Sequence, residues 1–146
     1  MNLIAPAALG IACLWAEARG EPHAGKVAVA EVVQRRARLR YSSRGTIAST
    51  VFWPYQFSCV NTLDPQRVRM FDLDTNDLVV QACQLAWYEA ESGSNLSRGA
   101  VLYHTIERPP GRKSWPPKWA RSARVLEVVR IHRHVFYVDL DARKEP

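Results

Sequence analysis

Cysteine is scarce in this chain of 146 residues: Cys13, Cys59 and Cys83 form an odd, widely spaced set with no CxxC pair. That count excludes a disulfide-built scaffold, and no Cys/His cluster has zinc-ligand spacing. The three are expected as reduced, mostly buried thiols, although one pairing stays open. Charged side chains are missing from residues 1–16. A secretory signal needs Lys or Arg ahead of its apolar stretch, so this opening is expected to be a helix of the mature protein and not a cleavable leader. No run approaches the ~18–20 apolar residues of a membrane span, so no stable membrane insertion is expected. A phosphate-binding glycine loop, a GxSxG elbow and an HExxH pair are all absent, which leaves three large catalytic classes without their motifs.

Acidic residues are outnumbered, 14 against 20 basic, for a net charge of +6 and a pI near 9.6. Sixteen of the basic residues are Arg. This balance points to a polyanionic partner: nucleic acid, anionic lipid or an anionic polymer. At 47% apolar and 23% charged residues the composition is globular, and the length suits one domain, residues 1–146.

Ile4, Ala7, Ala8, Ile11, Leu14 and Trp15 recur at helical spacing and predict a first helix over residues 3–19. Pro6 is tolerated only in the first turn, which moves the start toward residue 5. Gly20 and Pro22 end it. A second helix is expected over residues 23–38, with Val29, Val32, Val33 and Ala37 on one face and a solvated face of Arg35, Arg36 and Arg38. Residues 46–52 suit one or two helical turns. A third clear helix is expected over residues 76–91, capped by Thr75 or Asn76. Residues 100–104 read as a strand, and residues 124–131 and 134–138 as a hairpin turned at His132 and Arg133. The expected class is α+β, with helices followed by a small antiparallel sheet.

The chemistry concentrates in Trp15-Ala16-Glu17-Ala18-Arg19-Gly20-Glu21-Pro22. It sets Glu17 in the last turn of an apolar helix. Apolar surroundings and the negative helix C-terminus both favour a protonated carboxyl. Such a group can donate a proton to a leaving oxygen, as glycosidic cleavage requires. Residue type alone does not assign that role, because most helical glutamates are solvated. Glu21, four residues on, would pair with Glu17 on a continuous helix, but Gly20 and Pro22 predict that it leaves the helix to bind backbone or an Arg.

A second group is Trp53-Pro54-Tyr55-Gln56-Phe57-Ser58 with Asn61. Aromatic rings stack on sugar faces and amides bond hydroxyl and acetamido groups, but Trp53 and Phe57 suit a core equally well. In a strand Tyr103 and His104 point to opposite sides, so one meets a cleft while the other packs. Trp115 and Trp119 lie in a Pro-rich loop and either face substrate or cover the hairpin. His132 and His134 lack a third ligand in the sequence, so no metal and no cofactor is expected.

Together these stretches resemble the SleB-type cell wall hydrolases, the family of spore-cortex-lytic enzymes and related phage endolysins. The resemblance spans residues 3–137. It rests on Ala16-Glu17-Ala18-Arg19-Gly20-Glu21, then Gly25-Lys26-Val27-Ala28-Val29-Ala30-Glu31-Val32-Val33-Gln34-Arg35, then Gln56-Phe57-Ser58, Tyr103-His104, Trp119-Ala120 and Ile131-His132-Arg133-His134-Val135-Phe136-Tyr137, all in family order. It implies a lysozyme-like, lytic-transglycosylase-type domain that cleaves peptidoglycan between N-acetylmuramic acid and N-acetylglucosamine. It places the catalytic acid/base at Glu17 and puts substrate-binding residues at Gln56, Phe57, Ser58, Tyr103, His104, Trp119 and Glu21. It implies a monomer made in the cytoplasm without a cleavable signal and acting at the wall or periplasm. His132-Arg133 replaces the family's Gly-Asn turn, and residues 108–117 form a longer, more Pro-rich loop than the family's.

Two other readings stay open. One is a hydrolytic muramidase that pairs Glu17 with Glu21, Asp64, Asp72 or Asp74. The other is a non-catalytic basic module that binds the wall or, through Arg35, Arg36, Arg38, Arg40 and Arg44, nucleic acid; no aromatic platform interleaves with these arginines. The leading reading carries no nucleic-acid partner.

Overall fold

The computed structural model describes residues 6–54, 56–57 and 69–145. Helices come first: α1 (Pro6–Ala18), α2 (His23–Leu39), α3 (Ile47–Val51) and α4 (Leu78–Glu91). An antiparallel sheet of β1 (Leu102–Thr105), β2 (Val125–Ile131) and β3 (His134–Asp139) follows, in the spatial order β1-β3-β2. A 3-10 turn, Lys118–Arg121, separates β1 from β2. The α+β order is the expected one.

Pro6 opens α1, where its missing N–H leaves no bond unmade. Gly10 sits under the ring of Trp87 from α4. A Cβ at Gly10 would lie 2.2 Å from a ring carbon, so the α1–α4 packing requires glycine there. Thr46 caps α3 by accepting from the Ser49 N–H at 3.0 Å. The cap of α4 is Asp77, not Thr75 or Asn76: its carboxylate accepts from Val79 N–H at 2.7 Å and Val80 N–H at 3.3 Å. Asn76 N–H is itself bound by Asp74 Oδ1 at 2.8 Å, and the helix starts two residues later than expected, at Leu78.

The largest departure from the sequence reading concerns α2. It packs against α1, α3 and α4, and Gly25 to Ala37 is buried all round, while Arg38 is exposed as expected. Arg35 and Arg36, expected on a solvated face, are 3% and 4% exposed. Burial is tolerated because each polar side chain of α2 finds partners. Lys26 Nζ donates to the Glu21 carbonyl. Gln34 Nε2 donates to the Trp87 carbonyl at 3.0 Å. Arg35 donates to Ala100 O at 2.7 Å, Ser97 Oγ at 3.0 Å and Asn95 Oδ1 at 3.0 Å. Arg36 Nε donates to Val101 O at 2.6 Å. Glu31 accepts from the Ser94 and Ser97 hydroxyls, each at 2.6 Å, and from the Leu96 and Ser97 N–H groups at 2.9 and 2.8 Å. Burial works against its charge, but these bonds outweigh it and hold the Glu31 pKa below the ordinary 4.5. Glu31, Arg35 and Arg36 thereby fasten to α2 the segment that enters β1.

The sheet divides two apolar clusters. Phe136, Tyr103 and Ile131 face the helices, and Val125, Val135 and Tyr137 face a second cluster with Leu39 and Trp119. Consecutive Val128 and Val129 both pack on the helical side because β2 is bulged between Glu127 and Val129. Cys13 and Cys83 are buried, and burial pushes the Cys83 thiol up to about 11; Cys59 lies outside the described residues.

Candidate active site

The end of α1, strand β1 and the loop after β1 enclose an open groove of about 530 Å³. Glu17 lines it from the penultimate position of α1. The carboxyl is half-buried, and Tyr103 O–H donates to its Oε2 at 2.8 Å. Burial and the Glu17 charge push the Tyr103 phenol well above 10. It therefore stays protonated at every pH of interest and serves as a fixed donor that orients the carboxyl. The surroundings of Glu17 are less apolar than the sequence implies, because Arg36 lines the same groove. Burial pushes the Arg36 pKa down, and the neighbouring Tyr103, Tyr41 and Glu17 oppose this. The guanidinium is also stacked on Phe57 at 5.1 Å and gives Gln56 Oε1 a bond of 3.3 Å.

Both Tyr103 and His104 reach the groove, where the alternation of a strand predicted only one. β1 is an edge strand, so a groove along its free edge is reached from both faces. His104 Nδ1 bonds the Thr105 carbonyl at 2.7 Å, which fixes that nitrogen as the donor; Nε2 then accepts from Tyr137 O–H at 2.9 Å. Trp115 and Trp119 set their rings edge-on to His104, with centroids 5.4 and 5.7 Å away. Trp119 serves both expected purposes, lining the groove and packing on the second cluster with Tyr137. Trp115 Nε1 donates to Thr105 O at 2.8 Å and so belongs to the wall.

Other expected site residues are placed differently. Phe57 is a core residue that carries Arg36 on its ring and presents no face to the groove. Ser58 lies outside the described residues, as do Tyr55, Asn61 and Asp64. Glu21 is buried and does not line the groove. It leaves the helix and binds backbone as expected, at Arg133 N–H, and its side-chain partners are two histidines and not an arginine. His132 Nδ1 lies 2.7 Å from Oε2, Arg133 N–H donates to Oε1 at 3.2 Å, and His134 Nδ1 is 2.7 Å from Oε1. Burial raises the Glu21 pKa, yet these partners outweigh it and the net shift is downward. Burial likewise pushes His134 down, against the pull of Glu21. The same bonds hold the hairpin turn, where His132 takes a φ of 51° in place of glycine. His134 in turn stands edge-on to Tyr103 at 5.1 Å, so Glu21 supports the wall behind Glu17. Asp72 and Asp74 line a separate cavity with Trp15 and Arg69. Among the described residues, Glu17 is thus the sole carboxylate in the groove. Sequence reasoning did not place Arg36, His134 or Arg112 here. For Arg36 the usable signal was its position three and four residues after Val33 and Val32, on the apolar stripe.

A short helical half, a small closing sheet and one carboxyl at the end of the first helix facing an aromatic groove define a lysozyme-like domain. Residues 20–137 match the family described as Cell Wall Hydrolase, and the chain belongs to that family. It is an enzyme of wall degradation. The matched range starts three residues after Glu17. The fold is similar to the catalytic domain of the germination-specific lytic transglycosylase SleB from Bacillus anthracis, with 24% identity, a TM-score of 0.66, and coverage of 90% of this chain and 92% of that one. It is equally similar to the catalytic domain of the Bacillus cereus SleB protein, with 22% identity, a TM-score of 0.67 and 93% coverage of both chains. No curated protein matches the chain. No helix among the described residues is long and apolar enough to cross a membrane.

Proposed function

We propose that residues 1–146 form one catalytic domain that cleaves peptidoglycan strands between N-acetylmuramic acid and N-acetylglucosamine as a lytic transglycosylase, acting as a monomer. The observation that carries this reading is the Glu17 carboxyl, the one carboxylate among the described groove residues, held by Tyr103 in a groove walled by Trp115, Trp119 and His104. Glu17 gives its proton to the bridging oxygen as the bond from that oxygen to C1 of muramic acid breaks. The carboxylate left behind takes the proton of the C6 hydroxyl as O6 closes on C1. Glu17 is restored, no water is consumed, and the new end is an anhydro sugar. One carboxylate suffices because acid and base steps follow each other.

A hydrolytic muramidase needs a second carboxylate within about 5–10 Å across the bond. Glu21 is engaged by His132 and His134, and Asp72 and Asp74 lie in another cavity. This favours the transglycosylase reading. Burial of Arg35 and Arg36 among carbonyl oxygens removes two of the five arginines a nucleic-acid surface would use. Mass spectrometry of fragments released from purified peptidoglycan tests the proposal. Anhydro-muramoyl ends are expected; reducing ends alone would assign hydrolysis instead.

A further inference from the structure

Two cations line the groove, Arg36 and Arg112. Arg36 is buried and occupied by Val101 O and Gln56 Oε1. Arg112 is different. It is exposed, and among the described residues its guanidinium makes no hydrogen bond and no ion pair. Among the described residues it lies over the ring of Trp115, 5.6 Å from guanidinium carbon to centroid. That ring is itself fixed, by its bond to Thr105 O and by His104. The loop is turned by an Arg112 N–H bond to Pro109 O at 3.3 Å, with Gly111 at a φ of 83°. A guanidinium stacked on a fixed ring keeps its edge donors free and oriented, the arrangement suited to a two-point bond with a carboxylate.

We infer that Arg112, seated on Trp115, is a specificity-determining residue that binds a carboxylate carried by the muramic acid substituent of the strand. The inference rests on the glycan-cleavage reading above, since only the muramic sugar of such a strand carries acidic substituents. The carboxylate has two possible sources, the lactyl group itself or the stem peptide attached to it. Neutral oxygens of the strand gain less from a cation than a carboxylate does, so Arg112 separates acidic strands from neutral aminosugar polymers.

The test compares the parent enzyme, Arg112→Gln and Arg112→Lys on solubilised strands in three forms. These are native strands, strands stripped of stem peptides to expose the lactyl carboxylate, and strands whose carboxylates have been amidated. On native strands Arg112→Gln is expected to raise KM about tenfold or more at unchanged kcat, the scale of a charged hydrogen bond, with partial recovery in Arg112→Lys. Amidation should raise the parent's KM by a similar factor and leave that of Arg112→Gln unchanged. On native strands the lactyl carboxyl is tied up in the amide that carries the stem peptide, so a loss seen there and absent on stripped strands assigns a stem-peptide carboxylate. A loss that appears only on stripped strands assigns the lactyl group, and a loss on both shows that either carboxylate serves. Unchanged KM for Arg112→Gln on both native and stripped strands, or an equal loss on amidated ones, overturns the inference while leaving the cleavage reading intact. A parent enzyme that cleaves no strand removes both.

Discussion

Glu17→Gln is expected to fold normally and to lose wall lysis by about 10²–10⁴-fold, the contribution typical of a positioned proton donor. The substitution keeps the side chain's size and leaves an amide oxygen to accept the Tyr103 O–H, so the end of α1 should not move. An amide has no proton to give the bridging oxygen and cannot take one from the C6 hydroxyl, so both halves of the reaction fail together. The bond to Tyr103 of β1 survives in the variant, so stability should change little. Circular dichroism with a turbidity assay on purified peptidoglycan reads both quantities. A folded variant that still lyses would remove Glu17 from the mechanism.

The largest effect on stability is expected at Glu31. Its carboxylate accepts four bonds from the segment leading into β1, and its charge supports the buried Arg35 cation. Glu31→Gln replaces one acceptor oxygen by an NH₂ group that faces N–H and O–H donors, and leaves Arg35 with Glu145 as its remaining neighbouring anion. Leaving buried donors without their acceptor costs about 1–3 kcal/mol, and more where the lost acceptor was charged, readable as a lower urea midpoint. The effect is pH-dependent with a definite sign. The folded pKa of Glu31 lies below its unfolded value, as does that of Glu21. Their stabilisation is fully present above the unfolded carboxylate pKa of about 4.3 and is lost as pH falls through the depressed folded values. His134, also depressed, begins the loss earlier, as pH drops below its ordinary 6.5. The gap between parent and Glu31→Gln should therefore narrow as acid is added. A gap that widens toward low pH would mean that Glu31 is not ionised in the fold.

The order of elements was legible because α1, α4 and the hairpin obey simple periods. Leu14 and Trp15 mark the buried face of α1, and the alternation of Val135, Phe136 and Tyr137 survives intact between two clusters. Glu17 was legible through the block around it and its place at a helix end. α2 was not legible as a central helix, because Lys26, Glu31, Gln34, Arg35 and Arg36 read as solvated unless their distant partners are known. Those partners include carbonyls, hydroxyls and backbone N–H groups 53 to 66 positions away in sequence for Gln34, Arg35, Arg36 and Glu31, and no local pattern announces them. Phe57 failed as a sugar platform for a related reason. Its ring serves the buried Arg36, and a cation–aromatic contact formed by tertiary packing leaves no trace in spacing. Tyr103 and His104 share one groove because β1 ends at the sheet edge, a fact of strand order and not of strand sequence.

The central claim is that one carboxylate cleaves the strand without a water nucleophile. Digestion of purified peptidoglycan in heavy-oxygen water tests it most directly. The account predicts that the newly formed muramoyl ends carry no label, since the attacking oxygen comes from the sugar itself. Incorporation of one labelled oxygen per cleaved bond would contradict it.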